Sequence, residues 1–229
     1  LPAAAVAVAA DAALTGALHL DGLADTADGL FAHAPSRGRL EIMAEPQVGT
    51  FGSVAVGLAL LGKAAGLSAI EPSPRLLAAL YCSSRSAMVL ASRLPRYARD
   101  DGLASAFLPD RRPPAHHGSG AADERPPSAL QRFARDPAFS AALAGLGAAL
   151  VLGRRAGVPH GSAAVVGGWV GAVGVVALAR RRLGGFTGDV LGAAGVAAET
   201  VGLLVAAASR PGTVPERAGR SAPPAGLTL

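Results

Sequence analysis

Three carboxylates stand at i, i+4 and i+7 in the stretch His19-Leu20-Asp21-Gly22-Leu23-Ala24-Asp25-Thr26-Ala27-Asp28-Gly29. On a helix this spacing puts Asp21, Asp25 and Asp28 on one face, one turn apart. Like charges stacked in this way repel, so a counter-charge is expected between them. A divalent cation with oxygen ligands suits the site, and Mg²⁺ keeps part of its shell for water and phosphate oxygens. Gly22 and Gly29 remove side chains beside the acids, so a bulky ligand can approach the backbone. The competing reading is a solvated acidic turn between helices. The absence of an interleaved Lys or Arg and the apolar neighbours favour the metal face.

The elements that must position these acids are apolar. Hydrophobic residues make up 51% of the 229-residue chain and aromatic ones only 4%, with a mean hydropathy of +0.39. A soluble core of this length needs more large side chains. Long Ala/Gly/Val/Leu runs point instead to helices packed closely in a lipid bilayer, where small residues let backbones approach. The net charge of +5 and the pI near 10.6 suggest a nucleic-acid partner at first sight. Basic and aromatic residues are not interleaved, however, and no nucleic-acid motif is present. The Arg excess therefore reads as membrane topology and phosphate binding, with no nucleic acid. Cys82 is the single cysteine, which excludes an internal disulfide and a Cys-rich metal site. The chain opens inside an apolar run without a basic n-region or cleavage site, so a clipped N-terminus is expected rather than a signal peptide.

A bilayer crossing needs about 20 apolar residues. Six runs are expected to cross, over 3–20, 51–70, 76–94, 138–152, 161–179 and 189–208. The fold class is thus all-α, a polytopic membrane helix bundle. It forms one catalytic domain over 1–208, with a mobile polar loop at about 109–137 and a disordered tail over 209–229. His116-His117 falls in that Gly/Ser-rich loop and reads as solvated. With six crossings, the polar loops 21–50, 95–137 and 180–189 share one side and carry twelve arginines, against six on the other. The positive-inside rule then places them in the cytoplasm.

Charges inside apolar runs are costly and usually functional. Lys63, Arg85 and Glu199 sit in such runs. Lys63 and Arg85 are expected to reach phosphates or the Asp cluster, with Glu199 pairing with one of them. For Arg85 the expected partner is the Asp21–Asp28 face, Glu41 or a substrate phosphate. Asp11 has no assigned partner.

The stretch from Thr15 to Gly29 resembles the signature of the cobalamin synthase family, the adenosylcobinamide-GDP ribazoletransferases. So do Arg39-Leu40-Glu41-Ile42-Met43 and Val48-Gly49-Thr50-Phe51-Gly52, and Leu183-Gly184-Gly185-Phe186-Thr187-Gly188-Asp189 is similar to the family's late Gly-Gly-x-Thr-Gly-Asp motif. The resemblance covers roughly residues 15–105 and 180–208. Glu45 stands where Asp is usual, and the 109–137 loop carries no family signal.

The resemblance implies a Mg²⁺-dependent transfer in the membrane. A hydroxyl of α-ribazole, or of its 5′-phosphate, attacks the cobinamide-side phosphate of adenosylcobinamide-GDP, and GMP leaves. Such chemistry consists mainly of positioning and charge neutralisation. The implied metal ligands are Asp21, Asp25 and Asp28. Asp189 and Glu41 are the candidates for proton acceptor or further ligand, and His19, Arg39, Lys63, Arg85, Gly184, Gly185 and Thr187 for substrate contacts. Two rival readings are a membrane phosphotransferase of the CDP-alcohol type and a small ion-coupled transporter. The late motif argues against the first. The second should show repeat symmetry and broken helices at the midplane.

Overall fold

The structure, a computed structural model, describes residues 1–93, 97–98, 135–157 and 160–209. These form eight helices: α1 (Pro2–Leu14), α2 (Leu18–Phe31), α3 (Ser36–Ile42), α4 (Thr50–Ala69), α5 (Pro74–Ser92), α6 (Pro137–Arg154), α7 (Gly161–Leu183) and α8 (Gly188–Ala208). The strand-like pairing among the described residues is an isolated bridge between Tyr97 and Phe186. The polar loop expected at 109–137 lies almost wholly outside the described residues, as does the tail beyond Ser209.

Local chemistry fixes where the helices start and stop. Ser73, Asp136 and Thr187 cap α5, α6 and α8, each accepting a backbone N–H from the first turn. Gly184, at φ 78°, ends α7 in the left-handed conformation that glycine adopts without steric cost. Between α1 and α2, Gly16 and Ala17 both take positive φ, at 58° and 57°. Two such residues in succession cannot continue a helix, and α1 and α2 meet at a bend of 88°.

α8 is the central helix. It packs against α2, α4, α5 and α7, and 67% of its apolar window is buried, against 22% for that of α4. Small residues allow the close crossings. A Cβ on Gly168 of α7 would lie 2.5 Å from the Ala198 carbonyl oxygen, and one on Gly66 of α4 would lie 2.8 Å from Leu203 Cβ. The outer faces carry large apolar side chains such as Leu58, Leu61, Val151, Val170 and Val173 in exposed positions, which suits contact with lipid.

Two apolar clusters mark the ends of the bundle. One gathers Leu30, Met43, Ala91, Leu183 and Phe186. The other gathers Ile70, Leu76, Ala149, Ala164 and Leu203. The chain runs between them five times, outward on α4, back on α5, out on α6, back on α7 and out on α8. The segments that follow α2 and α7, together with the described ends of the 93–136 connection, therefore share one end of the bundle, as the sequence predicts.

Two expectations are corrected. Four helices (α4, α6, α7 and α8) are long and apolar enough to cross a membrane, or five units if the bent α1–α2 pair counts as one, rather than six. No straight crossing covers residues 3–20, because the helix breaks at Gly16-Ala17. α5 spans the same bundle length as its neighbours, but Ser83, Ser84, Arg85 and Ser86 lower its own apolarity. Its polar face is covered by protein instead of lipid. The 21–50 segment is also not a plain loop: it is largely the helices α2 and α3, and Asp21, Asp25 and Asp28 all lie on α2.

Candidate active site

The acidic stretch and the late motif meet. A Cβ on Gly22 of α2 would lie 2.9 Å from the carbonyl oxygen of Asp189 and 3.0 Å from its Cα, and one on Gly192 would lie 3.3 Å from His19 Cα. Glycine at these two positions lets the first turns of α2 and α8 touch backbone to backbone. Asp189 follows directly from the cap: the Thr187 hydroxyl, itself buried, donates to Asp189 Oδ2 at 3.2 Å and accepts the Val190 N–H. Asp21 is exposed, whereas Asp25 and Asp189 are half-buried. The buried Thr26 hydroxyl next to Asp25 has no hydrogen-bond partner among the described residues.

Asp28 has a different position. Its Oδ2 accepts the Gly49 N–H at 2.7 Å and its Oδ1 accepts the Gly52 N–H at 2.9 Å. The carboxylate thus satisfies the free donors at the start of α4, where helices favour negative charge. Arg39 is similarly engaged with backbone, donating from Nη1 to the carbonyls of Gly29 (2.9 Å) and Leu30 (2.5 Å) at the end of α2. Arg182 donates to the same Leu30 carbonyl at 2.7 Å. Glu41 faces outward on α3 and pairs with Arg37 at 3.5 Å. Gly184 terminates α7, and Gly185 is buried in the turn before the cap.

The intramembrane charges form one network. Lys63 Nζ lies 2.6 Å from Glu199 Oε2 and 2.8 Å from Asp11 Oδ2. Glu199 Oε1 accepts from Arg85 Nη1 at 3.0 Å and from the Ser84 hydroxyl at 2.8 Å. Two cations and two carboxylates cancel, which is the condition under which charges are tolerated away from water. Arg85 therefore pairs with Glu199 and not with the Asp21–Asp28 face or Glu41. Its side chain is 37% exposed, whereas that of Glu199 is 3% exposed. Asp11 takes Lys63 as its partner.

A cavity of about 290 Å³ opens elsewhere, between α5 and α7. It is lined by Ala87, Leu90, Trp169 and Val176 with Arg180 at its rim, and none of the acids reaches it.

The family model for cobalamin-5-phosphate synthase (CobS) matches residues 1–207. The chain belongs to this family. Among curated relatives, the adenosylcobinamide-GDP ribazoletransferase of Shigella boydii serotype 4 (strain Sb227) is 39% identical over 198 residues, covering 84% of this chain and 70% of the relative. That of Escherichia coli (strain ATCC 8739) is 37% identical over 197 residues, with the same coverage. No solved structure matches the chain.

Within this cobalamin-5-phosphate synthase family member, the three sequence motifs occupy one end of the bundle. At that end the Gly22 backbone meets Asp189 and the Gly192 backbone meets His19, Thr187 bonds Asp189, and Asp28 and Arg39 hold the surrounding backbone. Arg182, of the arginine cluster read as phosphate-binding, instead joins Arg39 on the α2 carbonyls, and Ser84, which the sequence assigned no place, joins Arg85 on Glu199. The signal for Ser84 was a Ser-rich patch in an otherwise apolar helix, beside a buried arginine.

Proposed function

We propose that this chain is a Mg²⁺-dependent adenosylcobinamide-GDP ribazoletransferase of the bacterial inner membrane. The observation that carries the reading is the backbone contact of Gly22 with Asp189, which joins the two acidic motifs into one site. The relatives named for this activity match over most of the chain.

The donor set bears on the metal. Among the described residues no three acid, histidine or cysteine side chains form a ready-made cage. Mg²⁺ does not need one: it is commonly bound by one or two carboxylates plus substrate phosphates. Asp21, Asp25 and Asp28 of α2 would hold it, with the two Asp28 oxygens also accepting the Gly49 and Gly52 N–H groups. Bound there, Mg²⁺ supplies neutralising charge to the pyrophosphate.

The chain's own groups do the remaining work. The site holds adenosylcobinamide-GDP with its pyrophosphate over the first turns of α2 and α8. An α-ribazole hydroxyl oxygen forms the new bond to the cobinamide-side phosphorus. The bond from that phosphorus to the bridging oxygen breaks, and GMP leaves with the electron pair. Asp189, oriented by Thr187, accepts the hydroxyl proton. The motif end of the bundle faces the cytoplasm, a reading supported by the arginines of the 180–182 cluster on that side. The test is GMP release from adenosylcobinamide-GDP and α-ribazole by membranes carrying the protein. Dependence on both Mg²⁺ and Asp25 is expected. Release that is unaffected by chelation and by Asp25→Asn would sink the reading.

A further inference from the structure

We propose that Glu199 is a positioning residue for the transferase reaction: it fixes Arg85 so that the free edge of the guanidinium faces the substrate pyrophosphate. The inference rests on the activity proposed above, and it concerns a residue buried well inside the bundle.

The geometry runs along a single stripe of α8. Asp189 begins the helix. Gly192 lies against His19, and a Cβ on Gly195 would lie 3.4 Å from Arg85 Nη1. Glu199 follows one turn later. These positions share one helical face. At 1.5 Å rise per residue, Gly195 is about 9 Å along the axis from Asp189. Arg85 therefore sits one turn below His19, within reach of a phosphate held at the acidic end.

The bonds of Arg85 are one-sided. Its contacts with Glu199 (3.0 Å), the Ser84 hydroxyl (3.2 Å) and Met88 Sδ (3.7 Å) all use Nη1. Among the described residues Nε and Nη2 donate to nothing, although the side chain is only 37% exposed. A guanidinium held by one corner presents its other donors in a fixed fork, the arrangement suited to two phosphate oxygens. The Tyr81 ring lies 5.8 Å from the Arg85 guanidinium carbon and limits its swing. On the far side, Lys63 at 2.6 Å neutralises the second oxygen of Glu199, and Asp11 balances Lys63. The Lys63–Asp11 pair thus engages the second oxygen of Glu199 without drawing the Arg85 guanidinium inward.

The test compares Glu199→Gln, Arg85→Lys and the double variant in membrane vesicles, measuring KM and kcat for GMP release. Glu199→Gln is expected to raise KM for adenosylcobinamide-GDP about tenfold with kcat changed less than about twofold, because ground-state and transition-state binding fall together. Arg85→Lys should act in the same direction. The double variant should be no worse than the poorer single, since both remove one device. Glu199→Asp keeps the charge and withdraws it by one methylene, so a rise in KM of about threefold is expected even if the Gln variant fails to fold. An unchanged KM in the Asp variant, or additive losses in the double variant, overturns the assignment while wild-type turnover stands. Absence of GMP release by the wild-type protein overturns the activity itself, and this inference with it.

Discussion

Asp28 accepts the Gly49 N–H at 2.7 Å, tying the end of α2 to the start of α4 across a gap of 21 residues in sequence. The bond gives the third carboxylate of the acidic stretch a role in holding the backbone. Asn at position 28 would turn an amide N–H toward one of the two backbone donors. A loss of about 1–3 kcal/mol of stability is expected, the penalty of one unsatisfied buried donor. Thermal unfolding in detergent measures it, and added Mg²⁺ should not restore the melting temperature.

Asp25 should behave differently. Asn there keeps the shape and removes the charge that binds Mg²⁺. Turnover should fall by at least about a hundredfold in low Mg²⁺ and recover in part as Mg²⁺ or Mn²⁺ is raised, because a weakened site fills by mass action. Asp189→Asn should instead stay slow at every metal concentration if its carboxylate takes the proton. A metal titration of GMP release distinguishes the three aspartates. Rescue of Asp189→Asn by metal would move it from proton acceptor to ligand.

The contact of Gly22 with Asp189 sets a steric prediction. Alanine at position 22 places a Cβ 2.9 Å from a backbone oxygen, which has no rotamer to move away by. α2 and α8 must separate by a few tenths of an ångström, at an expected cost of about 1–3 kcal/mol. The larger effect should fall on activity, since both acidic motifs move apart. Normal membrane insertion with wild-type turnover in Gly22→Ala would show that the contact is loose.

Lys63 is 3% exposed and bonded to two carboxylates. Lys63→Met leaves Asp11 without a cation and Glu199 with only Arg85. Removal of one partner from a buried pair costs about 3–5 kcal/mol. Denaturant unfolding in detergent should show that loss, and the double variant Lys63→Met, Asp11→Asn should recover part of it.

At the start of α6, burial raises the Asp136 carboxyl, but hydrogen bonds from Arg93 and from the Ala138 N–H outweigh it and hold the group below its ordinary value of 3.8. A depressed carboxyl adds stability that is present above the unfolded value and lost as pH falls through the folded one. Melting temperature should therefore drop as pH is taken below 3.8, and Arg93→Leu should flatten that acid limb. An acid limb unchanged by the substitution would assign it to other carboxylates.

The i, i+4, i+7 spacing in the acidic stretch suits the helix α2 that carries Asp21, Asp25 and Asp28, although the polarity of 21–50 reads as a loop. It could not show that Gly49 and Gly52 supply N–H donors to Asp28, because that bond depends on how α4 folds back. Apolar runs located α4, α6, α7 and α8 to within a few residues. They misread residues 3–20, since two left-handed residues at 16–17 leave hydropathy unaltered. The hidden cost of Arg85 was legible as a charge in an apolar run. Its partner, Glu199, lies 114 residues away, beyond any local pattern. Arg39 and Thr187 lie in the motifs as expected, yet their bonds in this fold go to backbone and to Asp189.

The helix at the centre of the bundle is also the one synthesised last among those described. The ribosome delivers Lys63 136 residues before Glu199 and Arg85 114 residues before it. In that interval Asp11, already made, can accompany Lys63, since the two lie 52 residues apart. Arg85 has no carboxylate among its described partners until α8 arrives. Until translation reaches α8, Arg85 lacks the Glu199 carboxylate, and the space between α2, α4, α5 and α7 lacks its central helix. Completion of the bundle described is thereby tied to the arrival of α8.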